Sequence, residues 1–279
     1  MGAHRESTLG KAMRWATLSV VVVLIAAPLY WLIASSFKTP VNIGASPPQF
    51  IPAPATLANY RAAFEHYGFG RYVLNSVIVT LGATVLVLVL GTLAGYAFGR
   101  LPLRGVAVVL VILLMISVFP EIAVVPPLYL LLHRIGWLNS YQALIVPYTA
   151  FNLPFAVWIL RNYFLGIPHE MEEAARVDGA STLRTVWSVI LPQALPGLFT
   201  AGIFTFTACW TEFLMALTFD SSNSYRTIPV GIALFGSPNV IPFGTIFAAA
   251  TVAIVPIGIL VFVFRKWVVS GLTAGAVKG

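Results

Sequence analysis

Long apolar blocks separated by short polar stretches set the pattern of this chain. Six blocks lack charge over enough length to cross a bilayer: 15–37, 72–99, 105–132 (interrupted by Glu121 alone), 135–160, 185–211 and the outer part of 227–264. A helix needs about 20 apolar residues to traverse the hydrocarbon core. Crossings are therefore expected near 15–35, 73–98, 106–127, 141–161, 197–217 and 245–264, in an all-α integral membrane protein of six transmembrane helices. Pro28, Pro120, Pro154 and Pro256 fall inside these crossings, where prolines are tolerated and kink the helix. Gly91, Gly95 and Gly99 are spaced four apart on the second helix. That spacing permits close helix approach, either within one bundle or against a partner subunit.

The polar stretches are unequal. An outer loop at 38–71 is the largest. Its Pro47, Pro48, Pro52 and Pro54 predict an extended start, and "LANYRAAFEHYG" then predicts a short helix ending at Gly68. "GRLPLRG" at 99–105 is a tight basic inner turn, and 162–196 is the longest inner segment. The segment 218–244 is rich in Ser, Asn, Pro and Gly. It folds over the bundle mouth or dips its apolar "TIPVGIALFG" into the interface. No internal repeat is visible, and residues 1–279 read as a single transmembrane domain ending in a tail at 265–279.

Composition strengthens the membrane reading. Hydrophobic residues make up 59% and charged residues 9%, against about 25% charged in soluble domains. A net charge of +7 fits basic loops facing anionic lipid better than nucleic acid, and no nucleic-acid partner is expected. With the N-terminus inside, eleven Lys and Arg lie on inner segments and five on outer ones, so both termini are expected in the cytoplasm. The first apolar block is long for a signal peptide, although Ala34-Ser35-Ser36 would suit a peptidase, and reads as an uncleaved anchor. Cys209 is the single cysteine, which rules out a disulfide within the chain.

Several chemistries have no residues to carry them. There is no phosphate-binding loop of the form G-x-x-x-x-G-K-[ST], and "GFG" at 68–70 lacks the third glycine of a dinucleotide loop. "HEMEE" at 169–173 begins like H-E-x-x-H but has Glu173 in place of the second zinc ligand. His4, His66, His133 and His169 are scattered, and no G-x-S-x-G elbow occurs. No catalytic residue, metal site or cofactor site is expected in this chain.

One inner stretch stands out. Of nine acidic residues, Glu170, Glu172, Glu173 and Asp178 fall within nine positions. Pro168 suits a helix's first turn, and the three glutamates follow near the positive end of the helix dipole, favourable by about 0.3–1 kcal/mol each. Glu172 and Arg176 form an i,i+4 pair. Gly179 suits a left-handed C′ position, and Ser181 then caps a second helix running toward Pro192. Ala174, Ala175 and Gly179 leave a surface without bulk, as in an ordinary connector or a place where another protein lies close.

Glu173-Ala174-Ala175, Gly179 three residues on, and Val189-Ile190-Leu191-Pro192 after nine more resemble the EAA loop of ABC importer permeases, E-A-A-x3-G-x9-I-x-L-P. Val189 for Ile is the one departure. "GLTAGAVKG" at 271–279, "NSVIVT" at 75–80, "LPFAVWILRNYF" at 153–164 and "WTEFLMAL" at 210–217 are similar to segments of the maltose-type, carbohydrate-importing permeases, in particular the smaller permease of each pair. The resemblance covers nearly the whole chain. It implies a type I ABC importer transmembrane fold, in a multi-pass protein of the bacterial inner or plasma membrane. It also implies a related second permease completing a heterodimeric pore, an extracytoplasmic substrate-binding protein, and a cytoplasmic ATPase dimer that holds the ATP and magnesium. On the same grounds Glu173, Ala174, Ala175 and Gly179, with Asp178 beside them, form a coupling helix seated on the ATPase, and the tail inserts near the ATPase interface.

Substrate contacts must come from polar residues inside the bundle. Glu121 and Glu212 are intramembrane carboxylates or lie near the outer mouth, where charge is costly. Asn152 and Trp210 would add hydrogen bonds and a flat apolar face for a sugar. Structural alternatives are that Glu121 satisfies backbone around Pro120 and that Glu212 sits in headgroup water. Rival cargoes are glycerol-3-phosphate or another polar solute. A different class, the ion-coupled secondary transporter, would carry an inverted repeat with paired broken helices, and none is visible.

Overall fold

The computed structural model describes residues 8–236 and 240–274. Arg5 and the last five residues of the tail motif, 275–279, lie outside that set. The described chain is helical almost throughout. Helix α1 is Thr8–Ser36, followed by the short α2 (Pro40–Ile43) and α3 (Ala58–Arg61). Next come α4 (Phe69–Arg100), α5 (Val106–Val118), α6 (Glu121–Arg134) and α7 (Gln142–Gly166). The inner segment holds α8 (Glu170–Val177) and α9 (Thr182–Thr185), and α10 (Leu191–Thr211), α11 (Leu214–Phe219), α12 (Ile228–Ala233) and α13 (Phe243–Ala274) complete the chain.

Five helical stretches are long and apolar enough to cross a membrane, and α5 with α6 make a sixth if taken as one span. That pair is bent by 90°, so the third crossing is broken rather than straight. Pro120 explains the break. It lacks an N–H, and it holds Phe119 in an extended conformation (φ −67°, ψ 133°). Pro120 thus lies between two helices instead of within one, unlike Pro28, Pro154 and Pro256.

The fifth crossing also differs from expectation. The helix does not end near Pro192. It runs from Thr182 to Thr211 through a π turn at Val186–Ile190, closed by the Leu191 N–H on the Val186 carbonyl, just before Pro192, which has no N–H to donate. It then stops at Glu212, whose backbone is extended (φ −65°, ψ 136°). The expected crossing at 197–217 therefore starts earlier and finishes sooner.

The chain divides into two compact units, Met1–Phe69 with Leu234–Ile254, and Gly70–Ala233 with Val255–Gly279. In the first unit α1 is exposed along most of its length, and order concentrates at its end. Asn59 donates to the carbonyls of Ser36 and Lys38, both at 2.8 Å. Lys38 is fully buried, 3.7 Å over the ring of Trp31, and burial lowers its pKa. Residues 58–66 form the expected short helix, with a π turn at Ala62–His66.

The second unit holds two apolar cores. One gathers Val79, Leu144, Tyr148, Met215 and Phe219. The other gathers Val87, Leu160, Phe164, Ile190 and Ala194. Between α4 and α7 the glycine ladder settles the alternatives left by the sequence. A Cβ on Gly95 would meet Leu160 Cβ at 2.9 Å and the Arg161 backbone nitrogen at 3.0 Å, and one on Gly99 would meet the Arg161 carbonyl at 3.3 Å. These glycines pack helix against helix within this chain.

Candidate functional site

Two places in the second unit bring the sequence-predicted residues together. The first is the inner segment. Its helix α8 starts from His169, whose carbonyl accepts the N–H groups of Glu172 and Glu173. Pro168 stands one residue outside the first turn rather than in it. The C-terminus closes with two bonds, Gly179 N–H to Arg176 O (3.0 Å) and Ala180 N–H to Ala175 O (2.9 Å). That double closure requires a left-handed residue at C′, and Gly179 has φ +77°. Ser181 then accepts the N–H of Arg184 and starts α9.

Burial divides the predicted coupling residues. Glu173, Ala174, Asp178 and Gly179 are exposed, whereas Ala175 faces into its own chain together with Glu172. The small-residue surface offered outward is therefore Ala174 and Gly179. Sequence reasoning missed its apolar companions: Val177 is 88% exposed, Leu183 73% and Trp187 66%. The available signal was apolar residues in a charged inner connector: Val177 on α8, outside every candidate span, and Leu183 and Trp187 on the first turns of the helix that continues as the fifth crossing.

Glu172 does not rely on Arg176, as its spacing suggested. That contact is 3.8 Å, with the Arg176 side chain 65% exposed. Its closer partner is Arg100, the last residue of α4, at 2.9 Å from Nε to Oε1, with both side chains buried. Arg100 also reaches the Pro168 carbonyl at 3.5 Å.

The second place is a cavity of about 320 Å³ lined by Glu121, Tyr148, Asn152, Cys209 and Glu212 among others. Both helix breaks supply it. Glu121 opens α6 just after the Pro120 bend, and Glu212 sits in the gap between α10 and α11. The Glu212 carboxylate accepts the N–H groups of Met215 (2.7 Å) and Ala216 (3.1 Å) and the hydroxyl of Tyr148. It therefore starts α11 as a side-chain cap. Asn152 directs its amide donor at the Tyr148 carbonyl (2.8 Å) and Cys209 Sγ (3.6 Å). Ser117, Phe151 and Phe155 add a hydroxyl and two apolar walls. Three of the four predicted cavity residues thus meet. Trp210 does not line the cavity; it is 3% exposed and stacked on Phe206. Tyr148 and Cys209 were missed, since on an apolar helix neither differs in sequence from a packing residue.

Asp220, beyond α11, anchors the neighbouring loop by accepting the Ser140 N–H at 3.1 Å. Burial pushes its carboxyl up to about 7, partly offset by that bond and by the Asn139 N–H.

A family model described as "Binding-protein-dependent transport system inner membrane component" matches residues 88–274. The sulfoquinovosyl glycerol transport system permease protein SmoH of Agrobacterium fabrum is 39% identical, over 97% of this chain and 95% of its own. The trehalose/maltose transport system permease protein MalG of Thermococcus litoralis is 36% identical over 99% of both. The trehalose transport system permease protein SugB of Mycobacterium tuberculosis is 37% identical over the full length of both. Among solved structures, a bacterial ABC transporter involved in the import of the acidic polysaccharide alginate superposes with a TM-score of 0.81, over 95% of this chain and 99% of that one. At 20% identity, that likeness speaks for the fold.

Proposed function

Because the chain belongs to the family of binding-protein-dependent transport system inner membrane components, we propose that it forms half of an ATP-driven pore importing a sugar or oligosaccharide. It is a multi-pass permease subunit of an ABC importer with the transmembrane fold of that class. Family membership sets aside the ion-coupled carrier. A second permease completes the pore, a cytoplasmic ATPase dimer drives it, and an extracytoplasmic binding protein delivers the cargo. The chain itself performs no covalent step. Its work is differential affinity and mechanical coupling between two states.

One observation carries the coupling role: the exposed apolar residues Val177, Leu183 and Trp187 beside Ala174 and Gly179. Val177 lies outside every candidate span, so an apolar side chain that exposed calls for another protein to cover it, and the ATPase is that protein. ATP binding draws the two coupling helices of the pore together. α10 is continuous with the inner segment, so displacement there tilts a membrane helix directly.

Sugar as cargo rests on the relatives' named cargoes and on the cavity's chemistry. Glu121, Asn152, Tyr148 and Ser117 offer hydrogen bonds, and Phe151 and Phe155 offer ring faces. The lining has two carboxylates and no basic residue, so this chain offers a phosphate no counter-charge there. That favours a sugar over glycerol-3-phosphate.

The test is uptake by proteoliposomes containing the complete complex with its binding protein. Neutral oligosaccharides should enter only with internal ATP, should ignore ionophores, and should not compete with glycerol-3-phosphate. ATP-independent entry abolished by an ionophore would overturn the importer reading. Competition by glycerol-3-phosphate alone would overturn the cargo.

A further inference from the structure

We infer that Arg100 is a positioning residue for coupling, holding α8 to the end of α4 through its buried ion pair with Glu172. This rests on the inner segment being the ATPase-contacting element. Three observations support it.

The pair is buried on both sides, 0% and 7% exposed for the Arg100 and Glu172 side chains, with 2.9 Å between charged atoms. Neither contacting atom makes a hydrogen bond and Arg100 Nη1 is buried without a partner, so charge attraction carries the contact, and removing one partner would leave the other charge buried without compensation. The Glu172–Arg176 contact is longer and its arginine largely exposed, so it supplies little restraint.

The second observation is where Arg100 sits. It ends a 32-residue membrane helix, so the contact joins the coupling helix to a crossing about 70 residues away in sequence. Arg100 also bonds the carbonyl of Pro168, and its two-point grip spans the start of α8.

Third, α4 has no slack with which to absorb a push. Gly95 and Gly99 bring it against the α7 backbone, and Arg161 of α7 donates to the Phe98 carbonyl at 3.2 Å. A displacement of α8 therefore carries α4 and α7 as one body. The coupling helix thus drives two routes: the continuous helix into α10, and the Arg100 grip into the α4–α7 pair. Glu172, one residue before the E-A-A triplet, faces inward for this purpose while Glu173 faces outward.

The experiment uses the complete complex in proteoliposomes and reads solute imported per ATP hydrolysed, with ATPase retention as a separate readout. Arg100→Gln and Glu172→Gln should retain the ATPase and hydrolyse ATP while the ratio falls ten-fold or more. The charge swap Arg100→Glu with Glu172→Arg should return to within three-fold of wild type. Arg176→Gln should leave the ratio unchanged. Arg100→Lys keeps the charge but not the second contact, from Nη2 to the Pro168 carbonyl, and should lower the ratio about three-fold. It reports even where the neutral variants do not assemble. A wild-type ratio in Arg100→Lys and in any assembled neutral variant overturns the inference, as does a loss that the assembled swap fails to recover. A wild-type complex that does not retain the ATPase or import with ATP points instead at the coupling reading itself.

Discussion

The inner segment and the cavity are built by opposite means. At the inner segment, short-range rules set the geometry: a left-handed glycine closes α8, a serine starts α9, and small residues are left facing out. At the cavity, local rules are broken. Two crossings are interrupted, at Pro120 and Glu212, and at the second the Glu212 carboxylate takes up two N–H groups of α11 and the Tyr148 hydroxyl. On the proposed reading the docking surface is preformed by short-range rules, whereas the passage is bounded by helix ends, one of which depends on a side chain. Three perturbations sharpen this contrast.

The largest effect is expected where the coupling end is anchored. Gly95→Leu places a side chain against Leu160 and the Arg161 backbone, and backbone cannot yield, so the cost exceeds the usual 1–3 kcal/mol of overpacking. The variant should not be recovered as folded protein in detergent. Gly258→Leu should be recovered normally, because a Cβ there meets nothing within 4 Å. Equal recovery of both would deny that α4 and α7 are locked.

A middling effect is expected at the cavity. Glu212→Ala removes the acceptor for two N–H groups and the Tyr148 hydroxyl, at about 1–3 kcal/mol. Glu212→Gln keeps one oxygen and should cost about half as much. Thermal midpoints in that order support a capping role; unchanged midpoints would make the helix break independent of Glu212.

Smallest is the pH response of the loop beyond the cavity. Asp220 has its carboxyl raised to about 7 from about 3.9 in unfolded chains. The folded state then binds the proton more tightly, so this contribution is full below about pH 4 and is lost as pH rises to about 7. Asp220→Asn should flatten the midpoint between those values and match or exceed wild type at pH 8. A wild-type profile rising with pH across that window would contradict the assignment.

Legibility followed the same divide. The α8–turn–α9 unit could be read because its signals are consecutive: the glutamates, Gly179, Ser181, with only Pro168 displaced from the first turn. The third and fifth crossings were placed, but not their breaks. Hydropathy sees apolar length, and neither the bend at Pro120 nor the carboxylate turning back onto Met215 and Ala216 alters it. Glu172 was assigned to its sequence neighbour Arg176, since pairing with Arg100 depends on the path of two helices. Trp210 was placed in the cavity on its chemistry, which does not reveal which face of α10 it occupies.

The central claim is that the Gly179 turn is a docking surface, and one comparison tests it directly. Gly179 and Gly136 are both left-handed, at φ +77° and +70°, and at both a Cβ would meet nothing within 4 Å in this chain. Aspartate tolerates such a backbone comparatively well, so Gly179→Asp and Gly136→Asp carry the same modest strain and differ in what lies outside the chain. Measured as ATPase retained per inserted permease after purification, Gly179→Asp should fall ten-fold or more while Gly136→Asp stays at wild type. Equal retention by both variants, with uptake intact, would contradict the account.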